Sequence, residues 1–147
     1  GCRCVSDYLD TNVLLSFFLT DANSDAAEAY FRRLSHPPVV SDWAAAEFVD
    51  NIRRKGRNGE FNDRLASDLL RTFSDWRETK FRKVNLTPRS GEIALELVAR
   101  EDLIVTAADA LHIALAMEYG ARLITFDKQL IVAADKCGVD STIPSAM

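Results

Sequence analysis

The stretch Tyr8-Leu9-Asp10-Thr11-Asn12-Val13-Leu14-Leu15 decides the fold. It reads as a short buried strand that ends on an acid, then a polar pair, then an apolar run. In an open α/β sheet, ligands sit outside the carboxyl ends of the strands, and Asp10 stands at such an end. A carboxylate there is costly to desolvate unless a partner or a metal ion compensates it. A second reading is open on these residues alone, because Asp, Thr and Asn also cap helices.

Outward from this stretch, apolar runs and helical patterns alternate. Residues 13–19 read as a short buried helix. Ser24 or Asp25 caps a second one, with Ala26, Ala29, Tyr30 and Phe31 on one face, stopped by His36-Pro37-Pro38. Val39-Val40 is a short strand, and Ser41-Asp42 opens a third helix with Ala44, Phe48, Val49 and Ile52 toward the core. Residues 61–76 form a long amphipathic helix, with Leu65, Leu69, Leu70 and Phe73 at three-to-four spacing. A strand over 81–86 follows, and Pro88 then starts a helix carrying Ile93, Ala94, Leu97 and Val98. After a connector, Thr106 caps an Ala- and Leu-rich helix over 108–119 that Gly120 ends. A strand over 122–126, a helix over 127–134 and a strand over 138–143 complete the chain. Strands alternating with helices imply βαβ units: an α/β fold, a three-layer α/β/α sandwich around a mainly parallel sheet.

The 147 residues make one domain, long enough to bury a normal core, with nothing that divides it. With 48% hydrophobic and 27% charged residues the composition is that of a soluble globular protein. No apolar run reaches the length of a membrane span. The chain starts at Gly, so residues 1–6 are expected to be a cloning or cleavage remnant, or disordered. Cys2, Cys4 and Cys137 lack CxxC spacing, and with only His36 and His112 beside them a zinc site is not expected; a reducing cytoplasm is. A net charge of −4 argues against general polyanion binding, but not against a nuclease whose acids hold cations. Two basic runs, Arg53-Arg54-Lys55-Gly56-Arg57 and Lys80-Phe81-Arg82-Lys83, read as phosphate contacts or as solvated helix ends.

Four acids sit where a charge needs a reason. Asp10 ends the first strand, and Glu47 interrupts the apolar run Ala44-Ala45-Ala46 and Phe48-Val49. Asp109 opens the most hydrophobic helix, and Asp127 follows Leu123-Ile124-Thr125-Phe126. Strand ends and helix starts share one edge of a parallel sheet, so all four carboxylates are able to point into one crevice. Packed acids repel and raise each other's pKa unless cations neutralise them. Oxygen ligands without His or Cys suit Mg²⁺ or Mn²⁺, and such a site activates water for phosphodiester cleavage. Thr11, Asn12 and Thr125 are candidates to orient the carboxylates. Asp42 reads as a fifth acid or, at a helix start, equally as a cap; His112 reads as a general base or, by preference, as a structural histidine of the buried helix. The aromatics Phe17, Phe18, Tyr30, Phe31 and Phe48 read mostly as core, some of them as the wall of a partner groove.

The segments Tyr-Leu-Asp-Thr-Asn-Val-Leu (8–14), Ser-Asp-Trp-Ala-Ala-Ala-Glu-Phe (41–48), Ala-Ala-Asp-Ala-Leu-His-Ile-Ala-Leu-Ala (107–116) and Leu-Ile-Thr-Phe-Asp-Lys-Gln-Leu (123–130) resemble, in order and spacing, the PIN-domain ribonucleases, in particular VapC-type toxins of toxin–antitoxin modules. The resemblance implies a Mg²⁺- or Mn²⁺-dependent endoribonuclease with Asp10, Glu47, Asp109 and Asp127 as its acidic quartet. It also implies a homodimer, and a small antitoxin whose tail lies across the active-site groove. RNA contacts would fall to Arg53, Arg54, Lys55, Arg57 and Lys128. Asp7 departs from the family's apolar first strand, which predicts a strand that begins late or runs at a wet edge. Two other readings compete: a receiver-type phosphoacceptor domain, with Lys128 beside Asp127, and a PIN-fold binding module without catalysis.

Overall fold

Short apolar strands pair in parallel in the computed structural model, which describes residues 6–146. The first half of the chain runs β1 (Asp7–Leu9), α1 (Thr11–Phe18), α2 (Ser24–Arg33), β2 (Val39–Ser41), α3 (Asp42–Arg57) and α4 (Asp63–Thr79). The second half runs β3 (Arg82–Val84), α5 (Pro88–Ala99), α6 (Ala107–Glu118), β4 (Arg122–Ile124), α7 (Lys128–Lys136) and β5 (Ser141–Thr142). The strand order is β3-β2-β1-β4-β5, all parallel, with Tyr8 opposite Val39 on one side and Leu123 on the other.

Alternation along each strand splits the core in two. Tyr8, Val39 and Leu123 face the layer of α5, α6 and α7, where Ile93, Leu97, Ile113, Leu115 and Leu130 are buried. Leu9, Val40 and Ile124 face the other layer, against Leu14, Phe48, Ile52 and Phe73 of α1, α3 and α4. Both faces are thus covered, as a parallel sheet requires. Phe18 packs edge-on against Phe48, Phe73 and Trp76, while Phe17 packs against Phe31 and Trp76; Phe48 is buried, and Phe18, Tyr30 and Phe31 are partly buried against the same core.

From β1 the chain winds outward through β2 to β3, then returns to lay β4 on the other side of β1. That reversal opens a crevice between the carboxyl ends of β1 and β4. Asp10 and Thr125 occupy those two ends.

Several expected boundaries move. The first helix begins at Thr11, not at residue 13, because Asp10 caps it. The second has Asn23 at its N-cap position, and Ser24 is its first residue. The long helix spans Asp63–Thr79 behind an Asn62 cap, and Asp127 caps the last helix from outside it. The strands expected over 81–86, 122–126 and 138–143 shrink to β3, β4 and β5. Val49, Leu65 and Val98, expected inside, are 40%, 45% and 44% exposed, because each lies at the border of its helix's apolar stripe.

Asp7 is neither a late strand start nor at a wet edge. It is the first residue of the central strand, where it accepts from Arg122 Nε at 3.1 Å and from the Tyr30 hydroxyl at 2.5 Å. Of the segment 1–6, Ser6 lies just before β1, its carbonyl accepting from the Arg122 amide at 2.8 Å. Positions 1–5, with Cys2 and Cys4, lie outside the described residues. Cys137 is a free, partly buried thiol. Among the described residues no helix is long and apolar enough to cross a membrane.

Candidate active site

Asp10 follows β1 directly and is 6% exposed. Its Oδ1 accepts from the Thr11 amide at 2.7 Å, and its Oδ2 from the Thr125 hydroxyl at 2.7 Å. It therefore caps α1 and at the same time points across the crevice toward β4. The Thr125 hydroxyl accepts in turn from Asn12 Nδ2 at 3.2 Å and from the Asp127 amide at 3.0 Å. Asn12 Oδ1 accepts from the Phe126 amide at 3.2 Å, which ties the two loops together.

Glu47 lies in the second turn of α3, its side chain 26% exposed. The Thr11 hydroxyl donates to Glu47 Oε1 at 2.7 Å, and His112 Nε2 reaches the same oxygen at 2.5 Å. His112 Nε2 also stands 3.4 Å from Asp10 Oδ1. Burial pushes the Glu47 carboxyl up, but the His112 bond and charge and the Thr11 bond outweigh it, and its pKa falls below the ordinary value. Burial likewise works against a charge on His112. The bond to Glu47 and the fields of Asp10, Glu47 and Asp109 prevail, and its pKa rises. Both shifts favour the charged pair.

Asp109 is the third residue of α6, whose cap is the Thr106 hydroxyl, 3.2 Å from the Asp109 amide. Burial and the field of Asp10 raise its carboxyl, with Asp127 and Glu47 adding and His112 opposing. Asp127 caps α7, its Oδ1 accepting from the amides of Gln129 at 2.9 Å and Leu130 at 3.3 Å. Trp43 Nε1 donates to the Ala108 carbonyl at 3.2 Å and pins the start of α3 to the start of α6. Four acids from four different elements thus share one edge of the sheet.

The oxygen donors and the surplus of negative charge fit a hard divalent cation in kind. Among the described residues, however, no three His, Cys, Asp or Glu side chains already converge as a ready metal cluster. Hydrogen bonds to Thr, His and backbone groups hold several of the oxygens instead.

The sequence profile of the PIN domain matches residues 8–136. The chain belongs to the PIN-domain family. It is a distant homologue of the VapC toxins, 26% identical over 122 residues to Ribonuclease VapC3 of Pyrobaculum aerophilum, which spans 83% of this chain and 89% of that protein. Mycobacterium tuberculosis VapC20, a Sarcin-Ricin loop cleaving toxin, superposes with a TM-score of 0.72 at 20% identity, covering 87% of this chain and 95% of its own. VapBC2 from Rickettsia felis, solved with a promoter DNA fragment, gives 0.72 at 14% identity over 96% and 100%. At these identities the two structures show the shared fold. Family membership, together with Glu47 and Asp109 on helices, replaces the receiver-type reading.

Sequence reasoning favoured a structural part for His112 over that of a general base. The histidine of this PIN domain is indeed 1% exposed, yet it bridges two of the four acids. The available signal was its place one helical turn after Asp109. Tyr8 and Ser41 were missed too: the Tyr8 hydroxyl lies 2.7 Å from His112 Nδ1 and 2.7 Å from Ser41 Oγ. A tyrosine inside a buried strand needs such a hydroxyl partner. Asp42, read as a cap, instead follows the Ser41 cap and accepts from the Leu86 amide at 2.9 Å.

The basic residues divide. Lys128 starts α7 beside Asp127, at the acidic edge. Arg53, Arg54, Lys55 and Arg57 ride the last turns of α3, with Arg57 about 15 Å along the helix from Glu47. There Arg54 pairs with Asp50 at 2.9 Å, and Arg53 and Arg57 line a groove of about 670 Å³ with Leu70, Phe73 and Arg77. Lys80, Arg82 and Lys83 sit at the amino end of β3, on the edge away from the acids. A small cavity of about 190 Å³ reaches Asp109 past Ile104, Val105 and Gln129. A larger one of about 500 Å³ lies at the amino end of β1, lined by Asp7, Tyr30 and Arg122 and by none of the four acids.

Proposed function

We propose that this PIN domain is a Mg²⁺- or Mn²⁺-dependent endoribonuclease and the toxin of a toxin–antitoxin pair, with Asp10, Glu47, Asp109 and Asp127 as its metal ligands and catalytic acids. The observation that carries this reading is the gathering of four carboxylates from four elements at one sheet edge, where the fields of Asp10, Asp127 and Glu47 add to burial in raising Asp109. A fold does not hold such repulsion without use. A bound Mg²⁺ or Mn²⁺ supplies a water nucleophile at neutral pH and stabilises the charge that develops on the phosphate.

The chain's own residues do the rest. Thr125 fixes Asp10, Thr11 fixes Glu47, and Asn12 locks the Thr125 hydroxyl between the two loops. Lys128 and the arginines of α3 offer cations to an RNA backbone. A small antitoxin is supported by the fold neighbours, which include a toxin–antitoxin complex from Klebsiella pneumoniae. A homodimer follows from the family resemblance, and light scattering that reports a monomer would count against it.

Cleavage of a fluorogenic single-stranded RNA with added Mg²⁺ or Mn²⁺ tests the activity. Wild type should cut and lose the activity to a chelator. Asp10→Asn keeps the α1 cap, because Asn caps as well as Asp, and should be inactive with its fold intact. Equal cleavage by both proteins would overturn the assignment.

A further inference from the structure

Glu47 has the longest and loosest side chain of the four acids, and holding it in one rotamer has an entropic cost. Two bonds fix it. The Thr11 hydroxyl and His112 Nε2 both approach Oε1, at 2.7 Å and 2.5 Å, and neither bond occupies Oε2. An ionised carboxylate only accepts, so the proton of the second bond rests on Nε2.

The imidazole is itself held. Nδ1 lies 2.7 Å from the Tyr8 hydroxyl, which lies 2.7 Å from Ser41 Oγ. Ser41 Oγ accepts from the Ala44 amide at 3.0 Å and so caps α3, the helix that carries Glu47. Tyr8, Ser41 and His112 are 0%, 0% and 1% exposed, so water does not compete for these bonds. One buried line of hydrogen bonds therefore runs from the start of α3 through the central strand to α6, and back to a side chain of α3.

We propose that His112, held by Tyr8, which Ser41 holds in turn, is the positioning residue that aims Glu47 into the acidic crevice. The proposal rests on the metal-nuclease reading and adds to it three residues outside the acidic quartet. Partners of metal-binding carboxylates typically set the affinity by roughly 10- to 100-fold.

The test is Mn²⁺ affinity measured calorimetrically without RNA, on the full chain, beside the melting temperature of each variant. In His112→Gln the amide nitrogen takes the place of Nε2, at the same number of bonds from the backbone. In His112→Asn it takes the place of Nδ1 and does not reach Glu47. Gln should stay within a few-fold of wild type, while Asn should bind about tenfold more weakly or worse. Tyr8→Phe, which keeps the ring and drops the hydroxyl, should fall between them. A merely structural histidine would make affinity follow melting temperature, with Gln and Asn alike; that result, or wild-type affinity in every variant, overturns the proposal. Wild type that binds no Mn²⁺ would instead overturn the metal-nuclease reading, and this inference with it.

Discussion

Asp10 satisfies two demands with its two oxygens: Oδ1 caps α1 and Oδ2 meets Thr125 across the crevice. Asp109 has the opposite character, since burial and then its acidic neighbours disfavour its charge. Removing a charge that both burial and the neighbouring acids disfavour should make Asp109→Asn more stable than wild type in metal-free buffer, by about 1–3 °C in melting temperature, while cleavage drops at least about 100-fold. Calorimetric melts with and without Mn²⁺ check it. The ion should stabilise wild type more than the variant, and a variant that melts below wild type in both buffers would contradict the repulsion. The acids themselves were legible in the sequence, because a charge after an apolar strand or within an apolar helix stands out. The bonds among Tyr8, Ser41, His112 and Glu47 were not. They join residues 33 to 104 positions apart, and only the strand order β2-β1-β4 and the rotation of α6 bring them together.

Caps and chemistry coincide at the helix starts, so substitutions at one position separate them. Asp127→Asn keeps an acceptor for the amides of Gln129 and Leu130 and should cost activity alone. Asp127→Ala should cost activity and also about 1 kcal/mol of stability, or a few degrees of melting temperature. Equal melting temperatures for the two variants would show that the cap contributes nothing. Helix types and their order were readable from apolar spacing, as in α4, where Leu69, Leu70 and Phe73 do face inward. The width of each buried stripe was not, since Val49, Leu65 and Val98 sit at stripe borders whose cover depends on the neighbouring helix. Strand ends ran short of expectation for a related reason. Thr125 continues the ladder through its amide to the Thr142 carbonyl at 3.1 Å, but then leaves the sheet to face Asp10.

Across the whole molecule the charges are segregated by sheet edge: the four acids and Lys128 at the carboxyl ends, and Asp7, Arg122 and Tyr30 at the amino end of β1. Burial, and then the bond to Asp7 and its charge, raise the Tyr30 hydroxyl far above its ordinary value of 10.0. The folded state therefore favours the neutral phenol. Its contribution is complete below pH 10 and is lost as the pH rises beyond it, because the unfolded chain releases the proton first. Urea midpoints should fall between pH 9 and 11 more steeply in wild type than in Tyr30→Phe, which should itself be about 1 kcal/mol less stable at neutral pH. Parallel declines would refute the assignment. The net charge of −4 was readable but silent about this arrangement, because the sign at each edge depends on which ends of the strands carry which residues.

The central claim is that four carboxylates act as one cation-dependent centre. The most direct measurement is the rate of single-stranded RNA cleavage against Mn²⁺ concentration, for Asp10→Asn, Glu47→Gln, Asp109→Asn, Asp127→Asn and their pairs. Groups that work as a unit are grossly non-additive, so each single variant should lose at least about 100-fold and each pair little more. A single variant that keeps the wild-type rate, or pairs whose losses multiply, would contradict a common centre.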